Sequence, residues 1–158
     1  PPPWQVGSEV RFRGELTRIQ PAGNGMPNTV RLGTELIPVR DPAADLRLEI
    51  QGHLRRLASL ELPRRTLELA AAHGFAVRRV TVRNQRSRWG SCSRRGTLSL
   101  NWRLVQAPPA VRDYIILHEL AHTREMNHSV RFWRLVGTLC PHYQEAERWI
   151  KQHSRELL

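Results

Sequence analysis

The sequence predicts an α+β fold in which a small antiparallel or mixed sheet packs on one functional helix. Apolar and polar residues alternate in two stretches within residues 1–40 and again over 97–104, as in strands with one buried face. Apolar residues recur every three or four positions from Leu46 to Leu60, as in an amphipathic helix. With the helices predicted after residue 108, the order β–α–α–β–β–α–α–α indicates an α+β domain.

Residues 1–40 are predicted to form a β-hairpin or small meander, appended to a main domain over residues 41–158. Val10 and Phe12 alternate with arginines in "EVRFRGELTRI", and "TVRLGTELIPV" repeats the alternation. The intervening "QPAGNGMPN" is dense in turn-forming residues, so the two stretches are expected to pair as neighbouring strands.

Two helices are predicted between residues 41 and 73. Asp41–Pro42 has the composition of a helix start. Pro63 suits the first turn of a second helix, which would run to His73 and stop at Gly74. The apolar stripe of the first helix comprises Leu46, Ile50, Leu54, Leu57 and Leu60.

Two strands and three helices are predicted in the remaining chain. The strands cover residues 76–82 and 97–104, with a loop rich in glycine, serine and arginine between them. Pro108–Pro109 then opens a helix, and further helices are expected from Val130 and from Pro141 to the C-terminus. In "TLSLNWRL" one face of the strand consists of Leu98, Leu100, Trp102 and Leu104.

The composition is that of a globular protein. The chain has 158 residues, of which 40% are hydrophobic and 25% charged. No apolar run approaches the length of a membrane span and no segment resembles a secretory signal, so no membrane association is predicted. Only two cysteines occur, Cys92 and Cys140, and neither belongs to a CxxC pair. This cysteine usage favours a reducing, cytoplasmic location.

The formal net charge of +11 raises the question of nucleic acid. Such a charge favours association with polyanions such as DNA at low salt. The arginines are dispersed along the chain, however, and no nucleic-acid-reading motif is present. A solvated basic surface is therefore the main interpretation, with DNA association as the alternative.

The segment "HELAHTREMNHSVRFW", residues 118–133, carries three histidines and two glutamates in its first eleven positions. On a helix, His118 and His122 point from the same face one turn apart, where two imidazoles can hold one zinc ion. Glu119 follows the first histidine, as in HExxH hydrolases, where the glutamate is the general base. The alternative is an ordinary amphipathic helix whose polar residues face water.

A catalytic zinc ion needs a third protein ligand, for which His128 is the candidate. Six further residues at ~100° each would turn His128 far from the face of His122, so the helix must end between them. Asn127 tolerates left-handed geometry and is expected at this turn. The ligand spacing matches that of metzincins, but Glu125 replaces their glycine and no Met-turn follows, so the chain is not a metzincin.

Cys92 opens an alternative ligand set. A thiolate is a good zinc ligand, and Cys92 with HExxH would resemble peptide deformylase, an amide hydrolase, leaving His128 spare. A fourth protein ligand would instead close the site and make the zinc structural.

Hydrogen-bond donors near the reacting carbonyl could be Tyr143, Arg88 and Asn101.

Three motifs resemble one protein family. "RWGSCSRRGTLSLNWRL", "HELAHTREMNHSVRFW" and "CPHYQEAERW" are similar, in this order, to YgjP-like metallopeptidases, relatives of the SprT-like and WLM zinc proteases. The resemblance is strong over residues 80–158 and loose before them. It implies a zincin-like fold, a zinc ion held by His118, His122 and His128, and Glu119 as the catalytic residue.

The resemblance also implies that the substrate is a protein or peptide. SprT-like relatives act on proteins attached to DNA, which would give the basic surface a use. In zincin-type folds a strand beside the active-site helix pairs with the extended substrate, and "TLSLNWRL" is the expected strand. Zinc would activate a water molecule, and Glu119 would carry its proton to the leaving amine.

Overall fold

The computed structural model describes residues 1–158, which form eight strands and four α-helices. The strands are β1 (Glu9–Phe12), β2 (Glu15–Arg18), β3 (Gln20–Pro21), β4 (Thr29–Leu32), β5 (Glu35–Pro38), β6 (Arg79–Arg83), β7 (Gly90–Cys92) and β8 (Thr97–Asn101). The helices are α1 (Arg47–His73), α2 (Pro109–Ala121), α3 (Val130–Leu139) and α4 (Tyr143–Leu157). None of these helices is both long enough and apolar enough to cross a lipid bilayer.

The N-terminal strands form two small antiparallel sheets, so strands were predicted correctly within residues 1–40. The expected pairing of the two alternating stretches with each other was wrong, because each stretch folds back on itself as a hairpin of its own. β1 pairs with β2, and β4 lies between β3 and β5. The inward residues Val10 and Phe12 are buried, as are their counterparts on β4. The tip of the first hairpin is hydrogen bonded to the chain just before α2, through Arg13 N–H to the Val105 carbonyl and Gly14 N–H to the Gln106 carbonyl. The domain boundary at residue 40 stays a prediction, and these hydrogen bonds cross it.

Residues 47–73 form one helix, so the prediction of two helices was wrong. The helix begins at Arg47 and not at Asp41, and Pro63 lies inside it. One apolar face runs past the proline without a break, and its burial holds the two halves in line. Leu60, which the sequence analysis assigned to the apolar stripe, lies outside that buried face and is 69% exposed. The buried residues of α1 are Ile50, Leu54, Ala58, Leu62, Thr66, Leu69 and Ala70.

The third sheet is mixed and lies next to α2. β8 is its central strand, parallel to β6 and antiparallel to β7. Its burial alternates as predicted over Thr97–Leu100, but Asn101, predicted on the polar face, is buried, and the strand ends there and not at residue 104. There the Asn101 side chain accepts a hydrogen bond from Arg103 N–H and starts a 3-10 helix over Trp102–Gln106. β7 was not predicted, because three residues are too few to show an alternating pattern.

The C-terminal helices lie close to their predicted positions and surround α2. Phe132 and Val136 of α3 are fully buried beside it, and Ala146 of α4 is buried as well. These residues belong to the same continuous apolar core as the N-terminal strands and α1. A small mixed sheet and three helices therefore hold α2 in place, which confirms the α+β fold class.

Candidate metal centre

Helix α2 carries two of the three histidines. His118 lies in its last turn and His122 is the residue at which the helix ends. The chain then runs through residues 123–129 to α3, whose first turn is capped by the Ser129 hydroxyl accepting from Phe132 N–H. The predicted helix end between His122 and His128 is confirmed. The left-handed turn at Asn127 was wrong, because no residue of this segment has a positive φ.

The helix end brings the three imidazoles together. Their ligand nitrogens all lie within 4.8 Å of one another, and Nε2 of His122 is 3.1 Å from Nε2 of His128. Two nitrogens bound to one tetrahedral zinc ion at 2.0–2.1 Å would be about 3.4 Å apart. The spacing therefore fits a shared divalent cation after small side-chain movements. Phe132 supports this arrangement by stacking on His122 at 4.4 Å between ring centroids.

Hydrogen bonding determines which ring nitrogen of His122 keeps a lone pair for a metal ion. Its Nδ1 lies 3.0 Å from the Glu125 carbonyl oxygen, which can only accept, so Nδ1 carries the proton. The lone pair is then on Nε2, the atom that faces His128. Burial, and after it the charges of His122 and His128, lower the pKa of His118 to about 4. Neutral rings are the form in which histidine binds a metal.

Glu119 lies at the same cavity as the histidines and is 7% exposed. Burial raises the pKa of its carboxyl to about 7, and the positive charge of Arg88 opposes this shift. Its position is restricted by Gly90 of β7, where an added Cβ would lie 3.1 Å from Glu119 Cγ and 3.2 Å from the Ser99 carbonyl oxygen. A glycine at residue 90 thus permits the close approach of β7 and α2.

Two clefts meet at His118 and Glu119. The larger has a volume of about 780 Å³ and extends between α2, α3 and α4; Trp89, Ile115, Trp133 and Ile150 form its apolar walls. Its polar lining includes Arg88, Arg148 and Lys151. The smaller cleft, about 310 Å³, contains all three histidines together with Cys92 and Met126. A bound peptide could therefore extend past the histidines and place one of its side chains in the larger cleft.

The strand whose edge is free beside this site is β7. The sequence-based expectation was that residues 97–104 would pair with substrate. However, β8 already has β6 on one side and β7 on the other. β7 lines both clefts through Gly90, and the smaller one also through Ser91 and Cys92. Its outer edge is the place where an extended peptide could add to the sheet.

The other predicted site residues are not equally close to the histidines. Arg88 lines both clefts. Asn101 lines neither, and its amide donates to the carbonyls of Gln85 and Arg88, so it positions that loop. Tyr143 lines neither cleft and stacks on Trp133 at 5.5 Å between ring centroids.

Cys92 is not a member of the group of side chains that could hold a metal. Its thiol donates to the Ser93 carbonyl, and burial together with the charge of Glu119 raises its pKa to about 11. Metal binding requires the thiolate, which such a pKa disfavours. The deformylase-like ligand set therefore gains no support from the structure.

The sequence-based reasoning missed three residues that contact the site. Gly90 limits the position of Glu119, while Tyr114 and Glu147 form a hydrogen-bonded chain to His118. Tyr114 precedes His118 by four residues on α2, so their contact could have been found from the helical period. Glu147 lies on another helix, and nothing local in the sequence indicates its contact.

The comparisons with known proteins agree with this geometry. The model of the family described as YgjP-like, metallopeptidase domain, matches residues 1–153. One similar structure is the metallopeptidase zymogen jannalysin of Methanocaldococcus jannaschii, with a TM-score of 0.50, 23% identity, and coverage of 58% of this chain and 95% of that chain. Another is the metallopeptidase zymogen abylysin of Pyrococcus abyssi, with a TM-score of 0.51, 23% identity, and coverage of 61% and 94%. No curated protein matches the sequence.

At 23% identity the two structures show the fold alone, and they confirm the zincin-like prediction. The family match concerns function, and it supports neither a DNA-associated module nor a deformylase-like amide hydrolase over a metallopeptidase. It also implies a protein or peptide substrate and a metal ion. Since this match spans almost the entire sequence, the chain belongs to the YgjP-like metallopeptidase family.

Proposed function

We propose that the chain is a zinc-dependent peptidase whose metal ligands are His118, His122 and His128 and whose general base is Glu119. The observation that carries the proposal is the convergence of three imidazole nitrogens within 4.8 Å at one cleft, with a buried carboxylate beside them. Three nitrogen ligands with no fourth side chain in the group are the pattern of catalytic zinc sites, which keep one position open. The carboxylate at residue 119 gives this open position a proton acceptor.

A zinc ion in this site would supply a Lewis acid that lowers the pKa of water towards neutrality and polarises the scissile carbonyl. The chain's own residues supply the proton transfers. Glu119 accepts a proton from the attacking water on its carboxylate and donates it to the leaving amine nitrogen. Arg88 lowers the pKa of Glu119 and so favours the ionised form that can act as a base.

The substrate binds as an extended strand along the free edge of β7. Its main chain would hydrogen bond to Gly90–Cys92 and continue the antiparallel order that β7 has with β8. Recognition through the backbone places no demand on the peptide sequence. A substrate side chain next to the scissile bond would enter the 780 Å³ cleft, with Trp133 and Ile150 on its walls.

The proposal is tested first by metal content. Wild-type protein purified without chelator should hold about one zinc ion per chain, and His128→Ala should lose it, because two imidazoles bind zinc much more weakly than three. His73→Ala is the matched control, since His73 is an exposed histidine outside the group. Cys92→Ser should retain zinc. A wild-type protein that binds no zinc would contradict the proposal.

The role of Glu119 is tested separately with a mixture of short peptides analysed by mass spectrometry. Glu119→Gln should bind zinc as the wild type does and lose about 10²–10⁴-fold in the rate of cleavage, because the amide cannot accept the proton. Cleavage by the wild type should also stop on addition of a chelator and return with zinc. Equal cleavage rates for the variant and the wild type would remove Glu119 from this role.

A further inference from the structure

A hydrogen-bonded chain of two residues leads from His118 to helix α4. The Tyr114 hydroxyl lies 3.1 Å from Nδ1 of His118 and 3.2 Å from Oε1 of Glu147. Tyr114 is 2% exposed, so this hydroxyl has little access to competing water. Glu147, the outer residue of this hydrogen-bonded pair, is exposed and lies on the second turn of α4.

The number of protons fixes the direction of both hydrogen bonds. A carboxylate can only accept, so the single hydroxyl proton of Tyr114 is donated to Glu147. The hydroxyl oxygen is then the acceptor towards His118, and Nδ1 of His118 must carry a proton. In a neutral imidazole this leaves the lone pair on Nε2 alone. A phenol keeps its proton at neutral pH, so the Tyr114 hydroxyl has this one hydrogen to donate.

The Tyr114 ring is itself held in place by its neighbours. It stacks on Tyr143 at 6.3 Å between centroids and 20° between planes, and Tyr143 stacks on Trp133. These contacts depend on the ring and not on the hydroxyl. A phenylalanine at residue 114 would therefore keep the packing and remove only the two hydrogen bonds.

We propose that Tyr114 and Glu147 are positioning residues that hold His118 as its Nδ1–H tautomer and leave Nε2 as its metal-binding atom. This inference rests on the proposed function, because it names what orients one ligand of the proposed zinc site. The other oriented ligand, His122, is held by a backbone carbonyl three residues away. His118 instead depends on a side chain 29 positions later in the sequence, so the docking of α4 contributes to the metal site.

The experiment compares Tyr114→Phe and Glu147→Gln with the control Glu145→Gln. Glu145 also lies on α4 and is exposed. Its replacement therefore makes the same charge change at a position outside the hydrogen bonds of Tyr114. The first measurement is the tautomer of His118 in metal-free protein at neutral pH, from nitrogen-15 NMR of the imidazoles. The second is zinc affinity by competition with a chromophoric chelator, and the third is the thermal midpoint of the metal-free protein.

The wild type and Glu145→Gln should show a single Nδ1–H tautomer. Tyr114→Phe should show a mixture and a zinc affinity lower by about 10–100-fold, the usual loss when the partner of a ligand histidine is removed. Glu147→Gln should show a smaller shift in the same direction, because a glutamine amide can donate as well as accept. If Tyr114→Phe does not fold, the tautomer and zinc affinity of Glu147→Gln test the inference instead.

An unchanged tautomer with unchanged zinc affinity in Tyr114→Phe would overturn the inference. A fall in the metal-free midpoint alone would mean that Tyr114 only packs, and would overturn it too. A wild type that binds no zinc contradicts the proposed function instead, and the two failures can be told apart because the tautomer is measured without metal.

Discussion

At the scale of single residues, Glu119 is constrained from two sides. Helix α2 places its side chain next to His118, and β7 approaches it so closely that only glycine fits at residue 90 without displacement. Such close packing matters for a catalytic group, because an error of 1 Å in its position can cost about 10²-fold in rate. The glycine thus contributes to the proposed chemistry although it has no side chain.

Gly90→Ala tests this constraint. The new methyl group would lie 3.1 Å from Glu119 Cγ and 3.2 Å from the Ser99 carbonyl oxygen, so one of them must move by a few tenths of an ångström. We expect kcat to fall by about 10-fold, a fraction of the loss for a full ångström, while zinc affinity stays unchanged. Peptide cleavage and chelator competition would measure the two effects. Gly52→Ala is the control, because its new methyl group would contact only the Arg56 guanidinium, at 3.5 Å. Full activity in Gly90→Ala would show that Glu119 tolerates the displacement.

The proximity of His118 and His122 could be predicted from the sequence because the helical period alone places residues four apart on one face. His128 was included because a catalytic zinc ion needs a third protein ligand, and this choice required a helix end after His122. The turn itself was assigned to the wrong backbone geometry at Asn127. The sequence could not show that Cys92 lies outside the cluster of the three histidines. The position of Cys92 depends on how β7 packs against α2, a contact between segments distant in sequence.

At the scale of elements, α1 shows how tertiary contacts override a local signal. Pro63 has no N–H to donate to the Ser59 carbonyl, which favours a helix boundary. The buried face of α1 continues across it, and Arg65 on the far side forms a bidentate pair with Asp113 of α2, at 3.0 and 2.9 Å. Burial and this pair outweigh the lost hydrogen bond, so the helix continues.

Pro63→Ala should therefore stabilise the protein. Restoring the hydrogen bond and relieving the ring contact is worth about 3 kcal/mol, and the greater freedom of the unfolded chain removes up to about 1 kcal/mol. We expect the free energy of unfolding of the metal-free protein to rise by about 2 kcal/mol in urea denaturation. Arg64→Ala, at an exposed neighbouring position, controls for helix propensity. A lower midpoint for Pro63→Ala would show that the proline is needed for the shape of α1.

At the scale of the whole molecule, the N-terminal strands and the metal site share one core. The apolar core is continuous from β1 to α4, and Arg11 of β1 forms an ion pair with Glu156 of α4. The hairpin tip at Gly14 rests on Pro108, immediately before α2. We therefore expect the residues on either side of position 40 to unfold together.

Gly14→Ala tests this coupling. An added Cβ would lie 2.5 Å from Pro108 Cγ, on a backbone with a φ of +90°. Gly7→Ala is the control, because Gly7 has a φ of +97° but no atom within 4 Å of its Cβ position. We expect Gly14→Ala to lose about 1–3 kcal/mol more than the control, the cost of overpacking. Circular dichroism and tryptophan fluorescence should give one coincident urea transition; two separate transitions would contradict a shared core.

The sequence by itself determined the features that depend on near neighbours. These are the α+β class, the strands of residues 1–40, the course of α2 and the clustering of the histidines, because side-chain periods and helix ends depend on residues a few positions apart. Only the tertiary structure decided that β7 carries the free edge, that residues 47–73 form one helix, and that Glu147 reaches Tyr114. Each of these depends on which distant segments pack together, and the free energy of that packing is a property of the assembled core.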